Sequence, residues 1–246
     1  MKYLFPLLIR GHLLWPKIPA HVVLVFHHLG PKPRKSKQPG QYHPLQAVQS
    51  AMIQLKGHGY RPAGLDELPG APESQRLFAL TFDDGYASGL EELLGLLEKH
   101  QVPATQFLVA GRIGETNHWD EAKGEPTARL MDRGQIRRWL DAGHAIGAHS
   151  VSHPNLRHLD GGVARSEIGE SRRLLEQEFQ KPVRHFAYPY GSHGSREENW
   201  VRESGYSAGW SLGPHPGSNP WACSRWSPRT PAMLAGFLSN LGGNRR

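Results

Sequence analysis

From Val22 to Phe26 the chain reads Val-Val-Leu-Val-Phe, and no position in that run offers water a polar side chain. With His21 in front, this β-branched apolar stretch predicts a strand buried on both faces. Leu77 to Phe82 predicts a second strand. Between them Leu45, Val48, Met52 and Leu55 recur at helical spacing after Pro44 and stop at Gly57. After the second strand, Leu90, Leu93, Leu94 and Leu97 mark one face of an amphipathic helix. The alternation continues with a strand over Ala104 to Val109 and a polar, aperiodic stretch from Arg112 to Arg129. A helix from about Gly134 to Ala142 follows, stopped by Gly143, then a short strand over His144 to His149. A helix over Val163 to Phe179 and a strand over Val183 to Tyr188 complete the clear part of the pattern. Beyond Gly191 the signal weakens, with one helix expected at Glu197 to Glu203. Repeated β-then-α units predict a parallel sheet or a (β/α) barrel.

The 246 residues suffice for one large α/β domain, and no repeat, low-complexity tract or linker divides them. Composition narrows the function classes. The single cysteine, Cys223, excludes an internal disulfide and a cysteine-based zinc site. The formal charge of +7 favours anionic surfaces. The basic residues are nevertheless scattered, without the aromatic-interleaved stripe of a nucleic-acid binder, so no nucleic-acid partner is expected. Met1 to Trp15 is apolar but interrupted by Arg10, and Leu4 to Ile9 is too short for a signal core or a membrane span. The expectation is a cytoplasmic protein, with peripheral membrane contact through this Leu- and Trp-bearing segment as a further hypothesis.

Three of the expected strands end in chemically active residues, where parallel α/β folds collect their catalytic groups. The second closes with Thr81-Phe82-Asp83-Asp84-Gly85. Two adjacent carboxylates beside a core need a compensating cation. In extended structure they point to different sides, so that one can bind a metal while the other acts as a base. Asp-Asp-Gly is equally good turn chemistry. The strand at 144–149 ends in His149-Ser150-Val151-Ser152-His153, two imidazoles that can converge on one ion. Chance spacing is the alternative among 15 histidines, but with Asp84 the pair completes a His, His, carboxylate set. The third is Phe186-Ala187-Tyr188-Pro189-Tyr190-Gly191, which read alone is turn chemistry around an aromatic residue.

In order and spacing, TFDDG at 81–85, HSVSH at 149–153 and FAYPYG at 186–191 resemble the signature motifs of the polysaccharide deacetylase family, also called NodB-homology or carbohydrate esterase 4. The likeness extends from about Val22 to Arg225. It implies a distorted (β/α)7 barrel over residues 21–230, between an N-terminal extension (1–20) and a C-terminal tail (231–246). It also implies a divalent metal, zinc or else cobalt or nickel, on Asp84, His149 and His153, with Asp83 as general base and the Tyr190 N–H stabilising the oxyanion. The substrate class would be an N-acetylated amino sugar in a polysaccharide or a lipid-linked precursor.

The chain departs from the pattern twice. Many members carry an arginine in the third motif where Ala187 stands here, and a late Leu-x-Leu-His motif is absent from the tail. A subgroup similar to poly-N-acetylglucosamine deacetylases has a circularly permuted barrel with the acid histidine on its first strand. Phe26-His27-His28 resembles that start, which makes His27 the expected general acid and His28 a second candidate at the substrate. Arg225 is the expected substitute for the missing arginine, although a surface role is open to it. Tyr188, Pro189 and Trp119 are expected at the substrate, with packing as the alternative for Trp119, while His185 and His193 are expected to be structural or solvated. Two other readings remain: hydrolysis of a different amide, formyl or cyclic, and a carbohydrate-binding protein that has kept the fold without activity.

Overall fold

The computed structural model describes residues 7–9, 12–14, 20–213, 219–228 and 236. Seven strands follow one another around a parallel sheet in chain order: β1 (His21–Phe26), β2 (Leu77–Phe82), β3 (Ala104–Leu108), β4 (Ala145–Ala148), β5 (His185–Ala187), β6 (Ala208–Leu212) and β7 (Cys223–Arg225). The ring closes where Trp226, just after β7, bridges Leu24 of β1. Trp226 N–H donates to Val23 O and Val25 N–H to Trp226 O, both at 2.9 Å. One bridge joins these ends, against six paired positions between β1 and β2, so the barrel is closed but distorted. The chain thus forms the expected distorted (β/α)7 barrel, with His27 after its first strand and Asp83-Asp84 after its second.

Between strands run α1 (Leu45–Gly57), α2 (Leu90–His100), α3 (Arg133–Asp141), α4 (Gly161–Phe179) and α5 (Ser195–Glu203). The α4 helix begins two residues before the expected Val163 because Asp160 caps it, accepting the Gly162 N–H at 2.8 Å. Asp132 and Gln135 form a reciprocal capping box on α3. The strands β6 and β7 were not legible in sequence. Ala-Gly-Trp-Ser-Leu and Cys-Ser-Arg carry little β propensity, and their pairing partners decide their conformation. Gly209 in β6 is required by close approach, since a Cβ there would meet the Tyr188 hydroxyl at 2.6 Å.

Alternation along the strands divides the core in two. Val22, Leu24, Phe26, Phe78, Leu80 and Phe186 face the helices, in a cluster with Met52, Leu93, Trp139 and Leu175. Val23, Leu77, Ala79, Phe107, Ala187, Trp210 and Cys223 fill the barrel, with Ala63, Leu65, Leu68 and Ala71 plugging its amino-terminal mouth. Both faces of β1 are buried, as its composition demands.

Leu7–Ile9 and His12–Leu14 pair as an antiparallel ribbon. The rest of the segment expected to touch membranes, and the expected tail 231–246 except Gly236, lie outside the described residues. No helix among the described residues is long and apolar enough to cross a membrane.

Candidate active site

The carboxyl-terminal mouth of the barrel gathers side chains from six strands. His27 follows β1, Asp83 and Asp84 follow β2, His149 follows β4, Tyr190 follows β5, Leu212 ends β6 and Arg225 ends β7. His27, Asp83, Asp84, His149, His153 and Tyr190 line one pocket of about 40 Å³.

Asp84, His149 and His153 are buried, and one donor atom from each lies within 4.8 Å of the others. Asp84 Oδ1 sits 3.3 Å from His149 Nε2 and 3.2 Å from His153 Nε2. That buried oxygen has no hydrogen-bond partner, so it faces two ring nitrogens without being satisfied by either. Two imidazoles and a carboxylate around an unsatisfied oxygen suit a borderline-soft divalent ion such as zinc. The outer nitrogens are held as metal-ligating histidines need. His149 Nδ1 is 2.8 Å from Ala187 O and its N–H donates there, which turns the Nε2 lone pair toward Asp84. His153 Nδ1 lies 3.1 Å from the Tyr190 hydroxyl, and Trp119 stacks on the His153 ring at 4.6 Å.

Burial disfavours the imidazolium of both histidines. For His149 the Asp84 and Asp83 carboxylates outweigh it and raise the pKa, whereas for His153 burial prevails and the pKa falls. Burial would raise Asp84, but His153 and His149 hold it well below the usual carboxylate range.

The backbone carries strain here. Asp84, Ser150, His153 and Tyr190 have φ of 71°, 64°, 63° and 61°. The other two described non-glycine residues with positive φ, Gln101 and Gln180, are ordinary helix C-caps. Left-handed residues of this kind cost on the order of 1 kcal/mol each and persist where the surroundings dictate them. Glu167 of α4 dictates one such turn: it accepts the N–H groups of Val151 and Ser152 at 2.8 and 2.9 Å and the Ser152 hydroxyl at 2.6 Å. Ser150 Oγ accepts the His153 N–H at 2.9 Å.

Asp83 lies on the opposite side of the motif from Asp84. Arg225 grips it with both arms, Nη1 to Oδ1 at 2.6 Å and Nη2 to Oδ2 at 2.7 Å, and is itself only 1% exposed. Its guanidinium also covers the Phe107 ring and donates to Thr81 Oγ1. Burial pushes the Asp83 carboxyl up, but Arg225 outweighs it and keeps the group below the ordinary range, ionised at neutral pH. The arginine expected to stand in for the one missing at Ala187 thus contacts Asp83 directly. Ala187 lines the barrel interior in the same cluster as Phe107, over whose ring the guanidinium lies.

Several expected residues lie elsewhere. Tyr188 faces the helix layer, 1% exposed, with its hydroxyl donating to Trp221 O at 2.8 Å, because alternation along β5 turns it away from the mouth. Pro189 is buried in the turn that follows. His28 is stacked between Tyr42 and Tyr86 and lines the neighbouring cavities. His185 sits at the opposite end of β5, its Nε2–H donating to Asp66 and its Nδ1 accepting from the Trp210 indole. His193 packs against the Tyr188 ring and pairs with Glu198. Gln41 and Asp120 line the pocket without having been singled out from sequence. Asp120 directly follows Trp119, which was expected at the substrate, whereas nothing local marks Gln41.

Residues 70–209 match the family described as polysaccharide deacetylase. The Bacillus subtilis (strain 168) protein YxkH is 24% identical over 171 residues, covering 68% of this chain and 57% of its own length. A Staphylococcus aureus (strain MSSA476) protein named poly-beta-1,6-N-acetyl-D-glucosamine N-deacetylase is 25% identical over 136 residues, covering 54% of this chain and 47% of its own. The chain thus spans about half the length of these two curated relatives. Among solved structures, IcaB from Ammonifex degensii superposes with a TM-score of 0.73 at 21% identity, covering 90% of this chain and 96% of that one. The Streptococcus pyogenes deacetylase PplD gives 0.69 at 17% identity, covering 87% and 96%. These two likenesses concern the fold, which they share. With the family match spanning more than half of its 246 residues, the chain belongs to the polysaccharide deacetylase family.

Proposed function

We propose that this chain is a metal-dependent hydrolase that removes N-acetyl groups from amino-sugar units of a glycan. The observation that carries the reading is the arrangement of Asp83. A buried carboxylate, kept ionised by a two-pronged arginine, stands beside a separate three-donor set that suits a divalent ion. An ion held by Asp84, His149 and His153 would supply Lewis acidity, polarising an acetyl carbonyl and making water easier to deprotonate. Asp83 accepts the proton of the attacking water. Arg225 fixes the plane of that carboxylate and keeps it charged. His27, whose ring lines the same pocket, protonates the departing amine. The Tyr190 N–H donates to the carbonyl oxygen as negative charge develops on it. The name of the S. aureus relative supports an N-acetylglucosamine polymer as the substrate class. The Arg225 clamp counts against a catalytically silent binding protein, because the missing third-motif arginine was, with the absent late histidine, one of the two grounds for that reading.

The test is acetate release from N-acetylglucosamine oligomers by zinc-loaded protein. Asp83→Asn is expected to lower turnover by a factor of about 10² to 10⁴. Asp84→Ala is expected to abolish stoichiometric zinc binding, read as metal content after dialysis. Undiminished turnover in Asp83→Asn would sink the assignment of the base.

A further inference from the structure

The two imidazoles of the candidate metal site are held by different kinds of partner. His149 Nδ1 meets the Ala187 carbonyl, which accepts and cannot donate, so the ring proton must sit on Nδ1. His153 Nδ1 meets the Tyr190 hydroxyl at 3.1 Å, and a hydroxyl can do either. Were that hydroxyl to donate to Nδ1, the neutral ring would carry its proton on Nε2. An N–H, not a lone pair, would then point at Asp84 Oδ1. Whether His153 can ligate an ion therefore depends on where the Tyr190 proton goes.

The structure gives that proton another destination. The Tyr190 hydroxyl donates to His153 O at 3.3 Å. Lys123 Nζ, which has donors and no acceptor, lies 3.4 Å from the same oxygen and takes one of its lone pairs. One lone pair is left, and it faces Nδ1 as an acceptor. His153 then donates from Nδ1 and keeps the Nε2 lone pair for an ion.

Tyr190 is 42% exposed, so packing alone leaves its ring free to turn. Lys123 supplies the hold, with its ammonium 4.4 Å from the centre of that ring. Behind it, Asp120 takes Lys123 at 2.8 Å and the Asn117 amide at 3.2 Å. Asn117 is buried, and its side-chain oxygen accepts the Ala128 N–H at 2.6 Å. The same helical turn, His118–Lys123, lays Trp119 on the face of His153, with ring planes 25° apart. The aperiodic stretch thus reaches His153 twice, through Trp119 on its face and through Lys123 and Tyr190 at its outer nitrogen.

We infer that the Tyr190 side chain, held by Lys123, is a positioning group for His153: its hydroxyl fixes the ligand-competent tautomer and so sets the affinity of the metal site. The inference rests on the reading of Asp84, His149 and His153 as metal donors. It gives Tyr190 a role separate from that of its main-chain N–H, and it gives the 118–123 turn a task at the ion. Lys123 acts through the hydroxyl and touches neither ion nor substrate.

The experiment is the zinc affinity of the full chain, read by competition with a chelating dye, for the parent, Tyr190→Phe, Lys123→Met and the double variant. Tyr190→Phe keeps the ring and the main-chain N–H but loses the hydroxyl. It is expected to weaken zinc binding about tenfold, as the loss of a ligand's outer partner does. Lys123→Met is expected to weaken it about threefold in the parent. In the Tyr190→Phe chain the same change should cost nothing further, because its effect passes through the hydroxyl. Charge alone predicts the opposite sign, since removing a cation near a divalent ion strengthens its binding. Tyr190→Phe that binds zinc as tightly as the parent overturns the inference. Lys123→Met that binds it as tightly or more tightly, or that weakens it equally with and without the hydroxyl, overturns the part given to Lys123. A parent that binds no zinc, or whose zinc survives Asp84→Ala, sinks the metal reading itself. Zinc held through Asp84 but indifferent to Tyr190→Phe leaves that reading standing and removes the positioning role.

Discussion

At the scale of single residues, the Asp83–Arg225 pair decides most. Both groups are almost wholly buried, so neither can exchange its partner for water. Truncating one member of such a pair leaves an uncompensated charge, at a cost of about 3–5 kcal/mol. Arg225→Ala is therefore expected to lower the melting temperature as well as turnover. Arg225→Lys keeps the charge but loses the planar two-pronged grip, and should recover stability better than rate. A melting curve beside acetate-release rates checks this, and an alanine variant as stable as the parent would show the pair to be dispensable. The three residues that could hold a metal were legible in sequence because they lie within short motifs. The clamp was legible only by analogy, since Arg225 and Asp83 are 142 positions apart. Only the closing of the barrel makes them neighbours.

Elements bring the donors into place, and the α4 helix does so across a loop. The three contacts of Glu167 hold the turn between His149 and His153, in which Ser150 and His153 are left-handed. Groups that support metal ligands from outside typically change affinity 10- to 100-fold. Glu167→Ala should weaken zinc binding by about that factor while leaving helix content unchanged, as zinc titration and circular dichroism can show. This helper was not read from the sequence. A half-buried polar residue in a helix has no periodic signature of its own, and the turn it serves is set by backbone geometry. The strongly apolar elements, β1 and β2, were readable because burial on both faces leaves composition no freedom. The β6 and β7 strands were not, because their Gly, Ser and Arg residues answer to barrel neighbours rather than to local preference. The misplacement of Tyr188 has the same origin: the motif was visible, but the face of β5 on which its ring lies depends on register.

Across the whole molecule, the candidate site and the most fully bonded plug sit at opposite ends of the barrel. The carboxyl-terminal mouth carries the strained turns and the unsatisfied Asp84 oxygen, while the amino-terminal mouth is plugged and bonded. There Asp66 takes the His185 ring at 2.9 Å and Arg184 at 2.8 Å, and the Trp210 indole donates to His185 from inside the barrel. The bond from His185, with Arg184 behind it, outweighs partial burial and lowers Asp66 to about 2. A depressed carboxylate stabilises the fold above its unfolded pKa, and that contribution is lost as pH falls through the folded value. Asp66→Asn should thus melt below the parent at pH 7, by a modest margin because Asp66 is half exposed. The difference should shrink between about pH 4 and pH 2, and a gap constant over that range would place the stabilisation elsewhere.

The closing bridge between Trp226 and Leu24 has a consequence in time as well as in space. A ribosome makes the first strand well before the seventh, so the nascent barrel stays open at one seam until the seventh strand has emerged. Throughout that interval Asp83 waits for the guanidinium that arrives 142 residues later. The same strand zips the wall and delivers the cation, which ties the pairing of Asp83 with Arg225 to the closing of the barrel: a half-made barrel has the motifs but not yet the clamp.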